Sequence, residues 1–405
     1  MLFQIILLAS AVAIAVPCFV MLIECVGAAI GSRKLSSRRP WLAQKDTLER
    51  TITEGPEFSL AVIMPAHNEA DVISNTISLL TPYLYPQDQL IVVADNCTDQ
   101  TARLAREAGA TVVERTDSLR RGKGYALDYG LKSLADHPPA AVVVVDADCQ
   151  FRAGAPRQLA TEAIAYQRPV QAVYLVDRPQ QPSLKEAISS FAFKVKNLVR
   201  PLGLSQFEVP CLLTGTGMAF PWKIASSMEL ASSSIVEDMK LGFDLAIAGF
   251  SPVLCPSVTV VGPLPPNDEA AETQRTRWEH GHLNIIGSYV PKLLGQALRQ
   301  GRVELLALAF DLLIPPLSLL VMIWLCVSAS ITLVGLLTGF WWPAEICLVA
   351  GIALFVGVGI AWNNFARADL SLKVLLSAPL YVLWKVPLYL KALTKPQVDW
   401  VRTKR

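Results

Sequence analysis

Ala141-Val142-Val143-Val144-Val145-Asp146-Ala147-Asp148 is an apolar, β-branched run that stops abruptly on two carboxylates. Such a run reads as a buried strand. In an open α/β sheet the carboxyl ends of the strands form the ligand crevice, so Asp146 and Asp148 fall where chemistry is expected. Upstream, residues 60–64, 90–94 and 110–113 give the same reading, and helical patterns separate them. The alternation predicts βα units around a mainly parallel sheet. The run at 60–64 leads into Pro65-Ala66-His67-Asn68-Glu69, and that at 90–94 into Asp95-Asn96-Cys97-Thr98-Asp99. A lone strand-end Asp usually closes a turn or caps a helix. Three polar strand ends in one sheet point instead to a shared site.

Asp146-x-Asp148 offers hard oxygen ligands on one turn, suited to a divalent cation facing a diphosphate. Arg120-Arg121-Gly122-Lys123-Gly124 adds cations on a glycine loop, with a helix expected from near Tyr125. There the backbone can approach phosphate closely. Downstream, Thr214-Gly215-Thr216-Gly217 is a small-residue turn that suits the underside of a sugar. Val236-Glu237-Asp238 opens a helical pattern over 239–248. A carboxylate there serves as an N-terminal cap or as a general base; Glu237 is expected to satisfy the helix start and Asp238 to face the cleft. Gln274-Arg275-Thr276-Arg277-Trp278 groups two guanidinium groups with an indole. Arg binds phosphate in bidentate fashion, and Trp presents a flat apolar face to a sugar ring.

The flanks have another character. Of 405 residues, 52% are hydrophobic and only 17% charged, more apolar than a soluble chain of two domains, so part belongs in lipid. Residues 2–30 are almost continuously apolar and long enough to span a bilayer. Nothing basic precedes Arg33, which favours a retained anchor over a cleaved signal peptide. Arg33, Lys34, Arg38 and Arg39 follow at once, and the positive-inside rule puts them in the cytoplasm. Residues 312–337 and 344–362 form an expected hairpin of two spans, while 285–298 and 372–390 read as interfacial helices. The basic tail from Lys391 to Arg405 returns to the cytoplasm. The expected organisation is a spanning helix at 1–32, a basic linker at 33–58 and a catalytic domain at 59–284. An interfacial region at 285–311, a transmembrane hairpin at 312–362 and an interfacial helix with basic tail at 363–405 complete it. A formal charge of +2 gives no global basic field, which argues against nucleic acid as a partner. The eight cysteines form no C-x-x-C pair or zinc-ligand cluster and read as reduced, buried thiols.

The ordered set Pro65-Ala66-His67-Asn68-Glu69, Asp95, Asp146-Ala147-Asp148, Glu237-Asp238 and Gln274-Arg275-Thr276-Arg277-Trp278 resembles the membrane glycosyltransferases of family 2. Cellulose, hyaluronan and poly-N-acetylglucosamine synthases and ceramide glucosyltransferases share the pattern. The resemblance implies a GT-A fold, a Rossmann-like mixed sheet, with transmembrane helices attached. It implies inverting transfer from a nucleotide sugar, a UDP-sugar, with Mg2+ or Mn2+ as cofactor. Carried over position by position, Asp95 contacts the nucleotide, Asp148 holds the metal with Asp146 toward the donor, and Asp238 is the base, beside Glu237. Pro65, His67, Glu69, Lys123 and Gly215 fall in the donor site. Gln274, Arg275, Arg277 and Trp278 close on the diphosphate and the acceptor sugar. The family's usual second acidic residue beside the nucleotide Asp is Asn96 here.

The expected reaction is transfer to a growing polysaccharide or lipid-linked acceptor at the cytoplasmic face of the cell membrane, in the synthesis of exopolysaccharide or cell-surface glycan. Two other readings compete: single transfer to a membrane lipid, ceramide-like or a polyprenyl phosphate, and a non-catalytic membrane partner. Asp148 and Asp238, which no core needs, count against the last. No G-x-G-x-x-G follows the first strand, which argues against a nicotinamide enzyme.

Overall fold

The computed structural model describes residues 1–37, 58–153, 155–177, 181–231, 236–264, 268–379, 381–382 and 385. Arg38, Arg39 and the basic tail from Lys391 to Arg405, on which the expected orientation rests, lie outside them. The chain divides into two compact units: Met1–Lys34 with Arg178–Val209 and Glu279–Gln397, and Leu35–Asp177 with Pro210–Trp278 and Val398–Arg405.

The second unit holds one eight-stranded mixed sheet. Its strands are β1 Leu60–Ala66, β2 Gln89–Asp95, β3 Thr111–Arg115, β4 Ala141–Val144, β5 Gln150–Ala153, β6 Val170–Val176, β7 Met218–Pro221 and β8 Val253–Gly262. They run in the order β3-β2-β1-β4-β7-β6-β8-β5. The first four are mutually parallel, with Ile63 in register with both Ile91 and Val144. Both faces are covered, which explains the unbroken apolar runs. Leu60, Val62, Met64 and Val143 enter one core with Ile73, Ile77 and Leu159. Ala61, Ile63, Val142 and Val144 enter the other with Leu127, Phe220 and Leu241. β7 then joins β4 and β6 antiparallel. This is the mixed GT-A sheet, and the four strands expected from the sequence are its parallel half.

Among the described residues, the first unit contains three helices long and apolar enough to cross a membrane: Leu2–Arg33, Leu317–Thr338 and Trp342–Phe365. The hairpin begins at Leu317 rather than 312. Pro315 and Pro316, which lack N–H groups, separate it from the helix Val303–Leu312. The stretch at 285–298 is the later part of one helix, Asp268–Gln300, that already includes Gln274–Trp278. Of the stretch at 372–390, the described part forms the short helix Leu372–Leu376, a turn at 377 and further helical residues at 378–379, 381–382 and 385.

The first unit also buries an ionic triad. Arg200 donates from Nε to Glu24 at 2.8 Å, and from Nη2 to the Asp311 carboxylate at 2.5 Å and its carbonyl at 2.7 Å. All three residues are at most 5% exposed. Nearby, Gly203 lies so close to the Glu24 backbone that a Cβ would collide with it. All eight cysteines are free, but the expectation of burial fails at two: Cys97 is half-buried and Cys326 is exposed on an apolar helix.

Candidate active site

The site is built where β4 ends. Beyond Val144 the chain turns through Asp146, whose backbone N–H donates to Thr216 Oγ1 at 3.2 Å. Lys123, the first residue of the helix Lys123–Ser133, forms an ion pair with the Asp146 carboxylate. Its Nζ also donates to the Gly215 carbonyl at 2.8 Å. Gly215 has φ of 83° and Gly217 of 64°, conformations that favour glycine. A Cβ on Gly215 would sit 3.2 Å from both Asp238 Oδ2 and Lys123 Nζ. Asp238 and Asp146 thus flank a single ammonium group.

Glu237 and Asp238 open the helix Glu237–Ile247, where a negative charge is favoured by the helix dipole. Val236 occupies the capping position and no side chain caps the helix, so Glu237 does not play the expected capping part. Asp238 Oδ1 instead accepts from the Met239 N–H at 2.8 Å. Burial, then the neighbouring Asp238 charge, push the Glu237 carboxyl up to about 8 against the opposing pull of Lys123. Burial works against the charge on Lys123, but Asp146, Glu237 and Asp238 outweigh it and raise its pKa. Arg277 completes the group. Burial lowers its pKa while Glu237, Asp146 and Asp238 act the other way, and its buried Nε has no hydrogen-bond partner. Gln274 and Trp278 on the same helix are half-buried; the side chain of Arg275 lies outside the described residues.

Oxygen and sulfur atoms of Asp146, Asp148 and Cys149 lie within 4.8 Å of one another, the one such group among the described residues. Cys149 is a poor member. Its thiol lies 3.3 Å from Asp148 Oδ1, and burial, then the charges of Asp148 and Asp146, push its pKa well up, which disfavours the thiolate. What remains is a pair of carboxylates, a hard donor set that fits Mg2+ or Mn2+ better than zinc.

The residues at the ends of β1 and β2 form a second cluster. Pro65 is in register with Val93 inside β1. His67 Nδ1 lies 2.7 Å from the Asp95 carbonyl, and the Glu69 N–H donates to Thr101 Oγ1 at 2.7 Å. The Asp95 carboxylate is 2.6 Å from Arg115 Nη1 and accepts from Asn96 Nδ2 at 3.0 Å. Arg115 in turn stacks over the Tyr125 ring, 5.4 Å from its centroid, which links this cluster to the Lys123 helix. Sequence reasoning missed Arg115, which ends β3, and Gln171. Gln171 is 2% exposed on β6 and bonds the backbone of the 214–217 turn. A glutamine inside the run Val170–Val176 was the available signal.

The family model described as glycosyltransferase-like family 2 matches residues 56–281. Among curated proteins, a 4,4'-diaponeurosporenoate glycosyltransferase of Staphylococcus aureus (strain bovine RF122 / ET3-1) is 37% identical over 94 residues, 23% of this chain. The same protein from strain USA300 is 36% identical over 96 residues. The matched part covers only 24% of the relatives' own length. Among solved structures, a mannosyltransferase from Pyrobaculum calidifontis in complex with GDP-Man and Mn2+ aligns over 92% of this chain and 99% of its own, with 18% identity and a TM-score of 0.49. A glucosyl-3-phosphoglycerate synthase from Mycobacterium tuberculosis, with Mn2+, UDP and phosphoglyceric acid, aligns over 55% of this chain and 77% of its own, with 22% identity and a TM-score of 0.36.

Proposed function

This chain belongs to the glycosyltransferase-like family 2, and from that premise we propose that it is a membrane-anchored, inverting glycosyltransferase that moves a sugar from a nucleotide-sugar donor, a UDP-sugar, to a membrane-delivered acceptor. One observation carries the reading: Asp238 and Asp146 flank Lys123 over the Gly215 turn. Inversion needs a carboxylate on the acceptor side and positive charge on the donor side, with no covalent nucleophile. In this reading Asp238 takes the proton of the acceptor hydroxyl as that oxygen attacks the anomeric carbon. Lys123 and Arg277 hold the departing diphosphate. Trp278, with Gln274 and Arg275 beside it, closes on the acceptor sugar, and the Asp95 cluster with Pro65, His67 and Glu69 holds the nucleotide. Asp148, with Asp146, would hold Mg2+ or Mn2+, which when bound supplies positive charge against the leaving group.

Anchoring rests on the three apolar helices. The basic residues Arg33 and Lys34 after the first put the catalytic domain, taken as 59–284, on the cytoplasmic side of the cell membrane. The acceptor is a growing glycan or a lipid-linked sugar. Single transfer to one small lipid is the second reading, favoured by the acceptor in the name of the Staphylococcus aureus relatives, 4,4'-diaponeurosporenoate. The test is purified protein in lipid offered a panel of radiolabelled nucleotide sugars, followed by sizing of the product. Transfer that is abolished by a chelator and by Asp148→Ala supports the proposal. Failure of every donor with every lipid and glycan acceptor would overturn it.

A further inference from the structure

Gly215 and Gly217, both left-handed, carry the 214–217 turn out of regular strand geometry just before β7. Peptide groups in such a buried turn cannot all find partners in the sheet, and an unpaired one is costly. Two are paired by strands: the Gly217 N–H donates to Val144 O at 2.9 Å, and its carbonyl accepts from the Ala172 N–H at 2.8 Å. The Gly215 carbonyl accepts from Lys123, and the Thr214 N–H and the Thr216 carbonyl are held by one side chain. Gln171 Oε1 accepts from the Thr214 N–H at 2.9 Å, while its Nε2 donates to Thr216 O at 2.9 Å and Ala172 O at 2.8 Å. An amide can do this because it carries a donor and an acceptor at one end.

We propose that Gln171 is a positioning residue for the transfer reaction, setting the pose of the 214–217 turn and through it the spacing of Asp238, Lys123 and Asp146. The inference rests on the functional reading above and names a residue that the reading does not use. The turn touches every part of that constellation. The Gly215 carbonyl takes a hydrogen bond from Lys123, Thr216 Oγ1 accepts from the Asp146 N–H, and Asp238 Oδ2 lies over Gly215. Gln171 makes none of these contacts itself. Removing its amide frees the turn to shift, and a shift of about 1 Å at a catalytic pair is enough to cost about a hundredfold in rate.

Three variants test this. Gln171→Leu removes both hydrogen-bonding roles. Gln171→Glu keeps the acceptor for Thr214 but donates to Thr216 only when protonated. Gln171→Asn keeps the amide and shortens its reach. Hydrogen exchange is measured at the Thr214 amide and in β1 and β2, and kcat and donor KM are measured for each protein. Expected for Gln171→Leu are exchange at Thr214 at least about tenfold faster with β1 and β2 unchanged, and kcat lower by about thirtyfold with donor KM within about threefold. The rate of Gln171→Glu relative to wild type rises as pH falls, whereas that of Gln171→Leu stays flat. Gln171→Asn falls between wild type and Gln171→Leu in exchange and rate. Unchanged exchange at Thr214, or normal kcat in Gln171→Leu, overturns the inference. So does faster exchange throughout the sheet, which makes the residue a general packing element. Wild-type protein that transfers no sugar defeats the functional reading on its own, and exchange at Thr214 then decides whether Gln171 holds the turn.

Discussion

Arg200 and Lys123 are both cations held by carboxylates from distant parts of the chain, and the two clusters differ in where they sit. Around Arg200 the guanidinium donates to Glu24, to the Asp311 side chain and to the Asp311 carbonyl, and Glu24 Oε1 and Asp311 Oδ2 are buried without a hydrogen-bond partner. In the other cluster Asp146, Glu237 and Asp238 act on both Lys123 and Arg277, and burial, then the Asp238 charge, raises the Glu237 carboxyl to about 8. Arg277 leaves a buried N–H without a partner. The Arg200 cluster lies among apolar helices and at no strand end, whereas carboxylates and cations gathered where β4 ends suit a cation together with a diphosphate. Burial of charge alone does not mark a site; position at the carboxyl ends of parallel strands does.

The largest effect is expected at Arg200. Arg200→Met strands two buried carboxylates and should lower stability by about 3–5 kcal/mol. Replacing Glu24 and Asp311 by Leu in the same chain should restore most of that, read by thermal unfolding in detergent. If the triple variant stays as unstable as the single one, the triad does more than tie the unit together. Next in size, Asp148→Ala should cut transfer by on the order of a hundredfold while shifting the unfolding temperature little, because the lost group serves a cation rather than the fold. A variant that loses stability in step with activity would erase the distinction between the clusters.

The smallest effect is a matter of pH. The Glu237 carboxyl lies at about 8 in the folded chain against an ordinary value of 4.5, so the folded state binds more protons between those values. Its contribution to stability is complete below 4.5 and is lost as pH rises through about 8. Glu237→Gln should flatten the fall in unfolding temperature across that window relative to wild type. An unchanged slope would mean that Glu237 is no more crowded than a surface carboxylate.

Much of this was legible in the chain itself. The runs at 60–64, 90–94 and 141–145 are parallel strands covered on both faces, and that burial makes them continuous apolar stretches ending on acids or polar residues; the run at 110–113 is the half-exposed edge strand beside them. The other half of the sheet was not legible. β5 and β7 have four residues each, β6 carries Gln171 at its second position, and β8 contains Pro256 with a register shift against β6. The acids of the site were visible because strand ends announce them. Gln171 was hidden, since its partners are backbone groups of a turn 43 and 45 residues away. Arg200 was hidden for a similar reason: Glu24 and Asp311 stand 176 and 111 residues from it, and Glu24 reads in sequence only as an interruption of an apolar helix.

The central claim is that Asp238 is the base of an inverting transfer, and Asp238→Asn tests it most directly. The change keeps size and the acceptor for the Met239 N–H but removes basicity. Nucleotide affinity by calorimetry and initial transfer rate are measured side by side for wild type and variant. The account predicts a rate lower by on the order of a hundredfold or more with donor affinity nearly unchanged. Near-normal turnover, or loss of donor affinity in proportion to the rate, would contradict it and make Asp238 a structural partner of the Gly215 turn.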